Sequence, residues 1–218
     1  VVAMDKTKRF LDPIILVRQE GVYFTPNGHH RLSALRELGA KAAIGLLVPE
    51  FAVAYQILAL NIEKAHTLRE RAMEVVRMYR DLASSDSSKE SDFSFEFEEP
   101  ALVTLGFAYE TRPRIAGGAY HPALRKVDGW FDEPLARAAA RREARAALVV
   151  VLRDTVNAAV TKLKEKGLKS PYLRNFVVAR VNPLRFVKGD LPSFEELLAT
   201  MTKRAKGLNV HKISTPDL

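Results

Sequence analysis

Cysteine is absent from the 218 residues. Its absence excludes disulfides, thiolate zinc sites and cysteine nucleophiles. It also fits a reducing compartment, and a cytoplasmic location is expected. Long apolar runs are absent too. The longest, Ala146–Leu152, is far shorter than the ~20 residues of a membrane helix, so no membrane association is expected. No signal peptide is visible. Residue 1 is valine, and a missing N-terminal portion is expected. There is no internal repeat. There is also no clear pair of amphipathic helices around a short glycine turn, the mark of a helix-turn-helix.

What is present is ordinary globular material, 47% hydrophobic and 28% charged, with ample apolar content for a core. The net charge of +8 is unevenly spread. Residues 1–83 carry +3, residues 84–100 carry −5 and residues 101–218 carry +10. Such a C-terminal half attracts polyanions, nucleic acid and nucleotides among them. A solvated basic surface gives the same numbers.

The most informative stretch is Thr25-Pro26-Asn27-Gly28-His29-His30-Arg31, which runs on through Leu32, Leu35 and Leu38 to Gly39. Two short apolar runs precede it, Pro13–Val17 and Val22–Phe24, with a turn at Gln19–Gly21. The leucines recur at helical spacing and predict one apolar stripe. Gly39 is placed to end that helix, and Ala42–Val48 reads as a buried strand. Glycine therefore falls between a strand and the first turn of a helix, beside two imidazoles and a guanidinium. First-turn N–H groups have no intrahelical partner and sit at the positive end of the helix dipole. Arg31 adds a planar fork that matches phosphate oxygens two at a time. Phosphate is the expected ligand. Without a ligand, the same residues make a tight turn with exposed polar side chains.

Further along, Pro49-Glu50 predicts a helix start, with Val53, Ile57 and Leu60 on its buried stripe. Thr67 followed by Glu70 is a capping box and predicts a new helix. Between them, Asn61–His66 is a polar connector. Residues 84–99 predict an acidic, Ser-rich flexible linker, and a short strand or docking arm is expected where Phe93, Phe95 and Phe97 alternate. After Pro100 the pattern is mainly helical, with a short helix or strand over 101–107. A glycine- and proline-punctuated loop is expected over 112–122, and a long helix over about 133–165. Later helices open at Ser170-Pro171 and Ser193.

The opening stretch together with Asn61–Ala72 resembles the N-terminal domain of ParB proteins, in the ParB/sulfiredoxin superfamily. The likeness covers roughly residues 5–83. It rests on the apolar strand Asp12–Val17, the Gly28-His29-His30-Arg31 form of a Gly-x-x-Arg loop, and Leu60-Asn61-Ile62-Glu63-Lys64 in place of the family's Glu-Asn-x-Gln-Arg motif. It implies a nucleoside triphosphate with magnesium, CTP first and ATP or ADP as alternatives. Gly28, His29, His30, Arg31, Asn61 and Lys64 would bind it, with Asn61 helping to hold the metal. Leu60 replaces the glutamate of the motif, and leucine has no oxygen for magnesium. Glu63 is then the remaining catalytic candidate. Sulfiredoxin chemistry needs a cysteine and is excluded.

The sequence thus predicts an α+β, ParB/sulfiredoxin-like domain over residues 1–83, a linker over 84–99 and a mainly helical, basic domain over 100–218. The resemblance implies a nucleotide-binding protein associated with DNA, in partition or regulation, and leaves room for a homodimer. A serine-kinase-like phosphotransferase or a ParB-like nuclease of the same superfamily are the alternatives. Arg112, Arg114, Arg141, Arg142 and Arg145 are the candidate nucleic-acid contacts. Tyr120 and His121 interleave with the first two in a loop suited to a base. A solvated face paired with Glu143 is the other reading of the later arginines. Trp130 and Phe131 are expected in the core.

Overall fold

The structure, a computed structural model, describes residues 13–62 and 67–214, with the backbone alone for residues 60–62. It is a mixed α+β protein with one three-stranded sheet and eight α-helices among the described residues. The chain divides into two compact units, 1–65 and 66–218.

In the first unit β1 (Ile14–Gln19) pairs antiparallel with β2 (Val22–Asn27). The chain then passes through α1 (His29–Glu37) to β3 (Gly45–Val48), which runs parallel to β1. The order is β2-β1-β3. As the central strand, β1 buries Ile14 and Val17. A register shift between Ile15 and Val17 marks a bulge, which locally breaks the alternation of faces. The final helix of the unit, α2 (Val53–Ile62), packs on β2. Phe24 meets Phe51 edge to face at 5.9 Å.

Two expectations need correction here. The leucine stripe of α1 is not the buried one. Ala34 is buried and Leu38 is 41% exposed. The strand expected over 42–48 shortens to Gly45–Val48, with Leu46 and Leu47 about half exposed. As an edge strand, β3 has a neighbour on one side only. The unit buries just Ile14, Val17, Ala34, Ala54 and Ala59 among its described apolar side chains, so its core is small.

The second unit carries the large core. Its first helix, α3 (Leu68–Ser85), opens with the predicted Thr67–Glu70 capping box and buries the stripe Val75, Met78, Tyr79 and Leu82. Helix α4 (Pro100–Thr111) is buried continuously from Ala101 to Tyr109. A helix apolar on every side belongs inside a bundle, and α4 is packed by α3, α5 (Gly117–Val127) and α6 (Leu135–Glu165). At Gly106 the α3 backbone comes so close that an added Cβ would lie 2.5 Å from the Ala72 carbonyl oxygen.

Helix α6 has 31 residues and runs unbroken. It spans about 46 Å at 1.5 Å per residue. Helix α7 (Leu173–Val181) and helix α8 (Phe194–Lys206) pack against it and against each other. A Ser193–Glu196 capping box starts α8, at the serine where the sequence predicts a helix start. Among the described residues no helix is long and apolar enough to cross a membrane.

Residues 84–99 are not a linker between domains. The unit boundary falls at residue 65, and this segment is sewn onto the start of α6. The Glu90 amide donates to the Glu133 carbonyl at 3.0 Å, and the Leu135 amide to that of Ser88 at 3.1 Å. A 3-10 turn spans Glu90–Phe93 in place of the expected strand or arm, and Phe97 is fully buried against Tyr79 and Trp130. Local polarity suggested a solvated segment, but the buried Glu90 and Phe97 anchor it. Phe131 is buried, as expected, whereas Trp130 is half-buried.

Candidate functional site

The Gly28 turn is built by the end of β2 and the start of α1. Gly28 is left-handed, with φ 111° and ψ 12°, a region where only glycine is unstrained. A side chain there would also press on Ile14, with Cγ2 at 3.3 Å from an added Cβ. The Gly28 carbonyl accepts the Leu32 amide at 2.8 Å and so begins the helix. No side chain caps the first turn, and no acid lies in it. His29 and His30 are exposed, with ring centroids 5.9 Å apart and planes at 67°.

Arg31 is half-buried beside this turn. Its Nη1 donates to the Pro13 carbonyl at 3.2 Å, and its Nη2 lies 3.5 Å from Asn27 Oδ1. The guanidinium thereby bridges the start of β1 and the end of β2, and that bridge fixes it next to the helix N-terminus. Four of the sequence-predicted residues, Gly28, His29, His30 and Arg31, come together in one turn. Gly39, with φ 73°, closes α1 as its position suggested, its amide bonding the Arg36 carbonyl while that of Ala40 bonds the Leu35 carbonyl.

The second motif cannot be joined to this turn. Asn61 lies in α2 with its backbone alone described, and Glu63, Lys64 and His66 lie outside the described residues. Among the described residues no three His, Asp or Glu converge on a point that could hold a metal.

The arginines of α6 require a larger correction. Arg142 has a fully buried side chain, so it cannot reach a nucleic acid. Its Nε and Nη2 take the Glu90 carboxylate at 2.8 and 2.6 Å, and its Nη1 takes Asp128 Oδ1 at 2.7 Å and Thr104 Oγ1 at 3.0 Å. Its guanidinium also lies 4.4 Å from the Phe131 ring centroid. Glu90 in turn accepts the Phe131 amide at 2.8 Å and has the Tyr79 hydroxyl at 3.1 Å. Arg145 is largely buried and pairs with Asp128 at 2.7 Å and Glu195 at 2.9 Å. Arg141 is half exposed, pairs with Glu133 and covers Phe131. Arg142 and Arg145 are therefore held by acids inside the bundle, whereas Arg141 keeps half of its side chain exposed. Arg80, not one of them, takes Glu143, at 3.1 Å.

The expected base-binding loop is dismantled too. Arg112 and Arg114 are exposed, but Tyr120 and His121 belong to α5. Tyr120 is buried, and His121 lies with Nε2 2.5 Å from Glu99 Oε1. That contact, opposed by burial and aided by Arg125 and Arg71, holds the Glu99 carboxyl below its ordinary range.

Sequence reasoning missed Glu90 and Asp128, the acids that claim Arg142. A single acid inside a Ser-rich stretch, 52 residues from its partner, gives no local signal. It also missed the exposed lysines at the far end of α6 and α8, although the charge distribution pointed there. Compared with known proteins, the chain matches no protein-family model, no curated protein and no solved structure.

Proposed function

We propose that this chain is a ParB-like, nucleotide-binding protein that associates with DNA in a partition-type or regulatory role. The observation that carries the nucleotide part is the uncapped first turn of α1 behind a left-handed Gly28. Its amide groups and dipole favour an anion. Arg31, braced by Pro13 and Asn27, supplies the fork beside it. The order of the Gly28–Arg31 and Asn61–Lys64 motifs along the chain supports a nucleoside triphosphate, CTP first. Magnesium would arrive with the nucleotide, because its usual partners include the substrate phosphates. No hydrolytic step is assigned, since Leu60 stands where a carboxylate would be needed. The DNA part rests on the family resemblance and on the basic charge of the helical unit.

Calorimetric titration with CTP, ATP and ADP in magnesium tests the reading. Saturable binding of CTP supports it. A preference for ATP or ADP would move the assignment to the superfamily's phosphotransferases.

A further inference from the structure

The net charge of the chain sits in one stretch. Residues 160–214 hold twelve Lys and Arg against four Asp and Glu, a net +8, which equals that of the whole chain. The last turns of α6, α7 and α8 all carry cations, Lys162, Arg180 and the group Lys203, Arg204 and Lys206 among them. A cation at a helix C-terminus complements the dipole, but one or two per helix suffice and the effect fades within a turn. None of these five side chains has an acidic partner among the described residues, and all are exposed.

They line a groove made of three adjoining hollows. A hollow of about 350 Å³ between α6 and α8 is lined by Leu148, Val151 and Leu198 together with Lys203 and Lys206. A second, of about 660 Å³, is lined by Arg180, Lys203 and Arg204. A third, of about 520 Å³, is lined by Lys162, Lys166 and His211. Lys203 is common to the first two, and Leu208 and Asn209 to the last two. Glu165 is the one acid along this lining. Lys166 fixes the far wall, its Nζ donating to the carbonyls of His211 at 2.9 Å and Ile213 at 2.6 Å.

We propose that this groove grips the phosphodiester backbone of duplex DNA. The proposal rests on the DNA association proposed above and assigns it a surface along α6 from Leu148 onward and along α8. A band of cations across three hollows suits a long, regular polyanion. An acidic amphipathic peptide fits less well, because the two larger hollows mix polar residues such as Thr200, Asn209 and His211 with their apolar ones.

The test is fluorescence anisotropy of a labelled 30-base-pair duplex across a salt series, using the full chain. The groove variant is Lys203→Gln/Arg204→Gln/Lys206→Gln. A control, Arg77→Gln/Lys126→Gln/Arg137→Gln, removes the same charge from exposed positions elsewhere. The groove variant should bind at least about tenfold more weakly, and its log Kd against log salt slope should fall by about 2–3, while the control changes less than about threefold. Equal weakening of both variants overturns the proposal, since net charge alone would then explain it. Unchanged binding by the groove variant also overturns it, yet leaves the DNA association standing. No binding of DNA by the wild type overturns both. Binding to phosphatidylserine vesicles with none to DNA overturns both as well and makes the groove a membrane surface. If the triple variant does not fold by circular dichroism, Lys162→Gln/Arg180→Gln takes its place, with an expected slope change of about 2.

Discussion

Arg142 closes a two-pronged ion pair on Glu90, with Nε at 2.8 Å and Nη2 at 2.6 Å and both side chains fully buried. It ties the segment after α3 to the middle of the bundle. Removing one partner strands a charge in the buried interior. Glu90→Ala and Arg142→Met are each expected to cost about 3–5 kcal/mol, and the double variant less than the sum. Urea denaturation reads this directly. A single substitution costing under about 1 kcal/mol would contradict the account.

Two buried tyrosines separate satisfied from unsatisfied hydroxyls. Tyr79 OH lies 3.1 Å from Glu90 Oε1 and 3.3 Å from the Leu135 carbonyl. Tyr120 OH finds no partner among the described residues, and burial pushes its ionisation up to about 12. Tyr79→Phe should cost about 1–3 kcal/mol, whereas Tyr120→Phe should be neutral or mildly stabilising. Paired thermal melts decide the matter, and the reverse order would refute it.

Acid should loosen the start of α4. The Glu99 carboxyl is held below its ordinary value of 4.5, chiefly by the contact with His121. Its folded-state ionisation is therefore depressed. The stability it contributes is present above pH 4.5 and is lost as pH falls through the lower folded value. Glu99→Gln should flatten the fall in Tm below pH 4.5 relative to the wild type. Parallel profiles would show that Glu99 contributes nothing.

Close packing of α3 on α4 requires glycine at one point. Gly106→Ala sets a methyl group 2.5 Å from the Ala72 carbonyl oxygen and 2.7 Å from Val76 Cβ. An expected loss of about 1–3 kcal/mol follows from the forced shift of backbone. Gly118→Ala, with nothing within 4 Å, should be neutral or stabilising. Equal effects of the two substitutions in denaturant titrations would contradict this packing.

Much of the skeleton was legible because its signals are local. The capping boxes at Thr67 and Ser193 satisfy helix N–H groups within three residues, and Gly39 takes the positive φ that its place after a helix suggested. Pairing across the chain was not legible. Arg141, Arg142 and Arg145 look alike in sequence, yet Arg142 is fully buried and Arg141 half exposed. What sorts them is Glu90 and Asp128, which arrive from elsewhere. Helix α4 was ambiguous because full burial removes periodicity. At the candidate site, Gly28–Arg31 could be read as one turn, while Asn61 and Lys64 depend on a distant segment.

The central claim is that the turn at Gly28–Arg31 binds nucleotide phosphates. The most direct measurement is calorimetric titration of CTP with magnesium into the wild type and into Arg31→Ala, with folding of both checked by circular dichroism. The account predicts saturable binding to the wild type, displacement by inorganic triphosphate, and a loss of at least about tenfold in the folded variant, in keeping with a charge-assisted fork. Absence of CTP, ATP and ADP binding to the folded wild type would contradict it and leave Gly28–Arg31 as a structural turn.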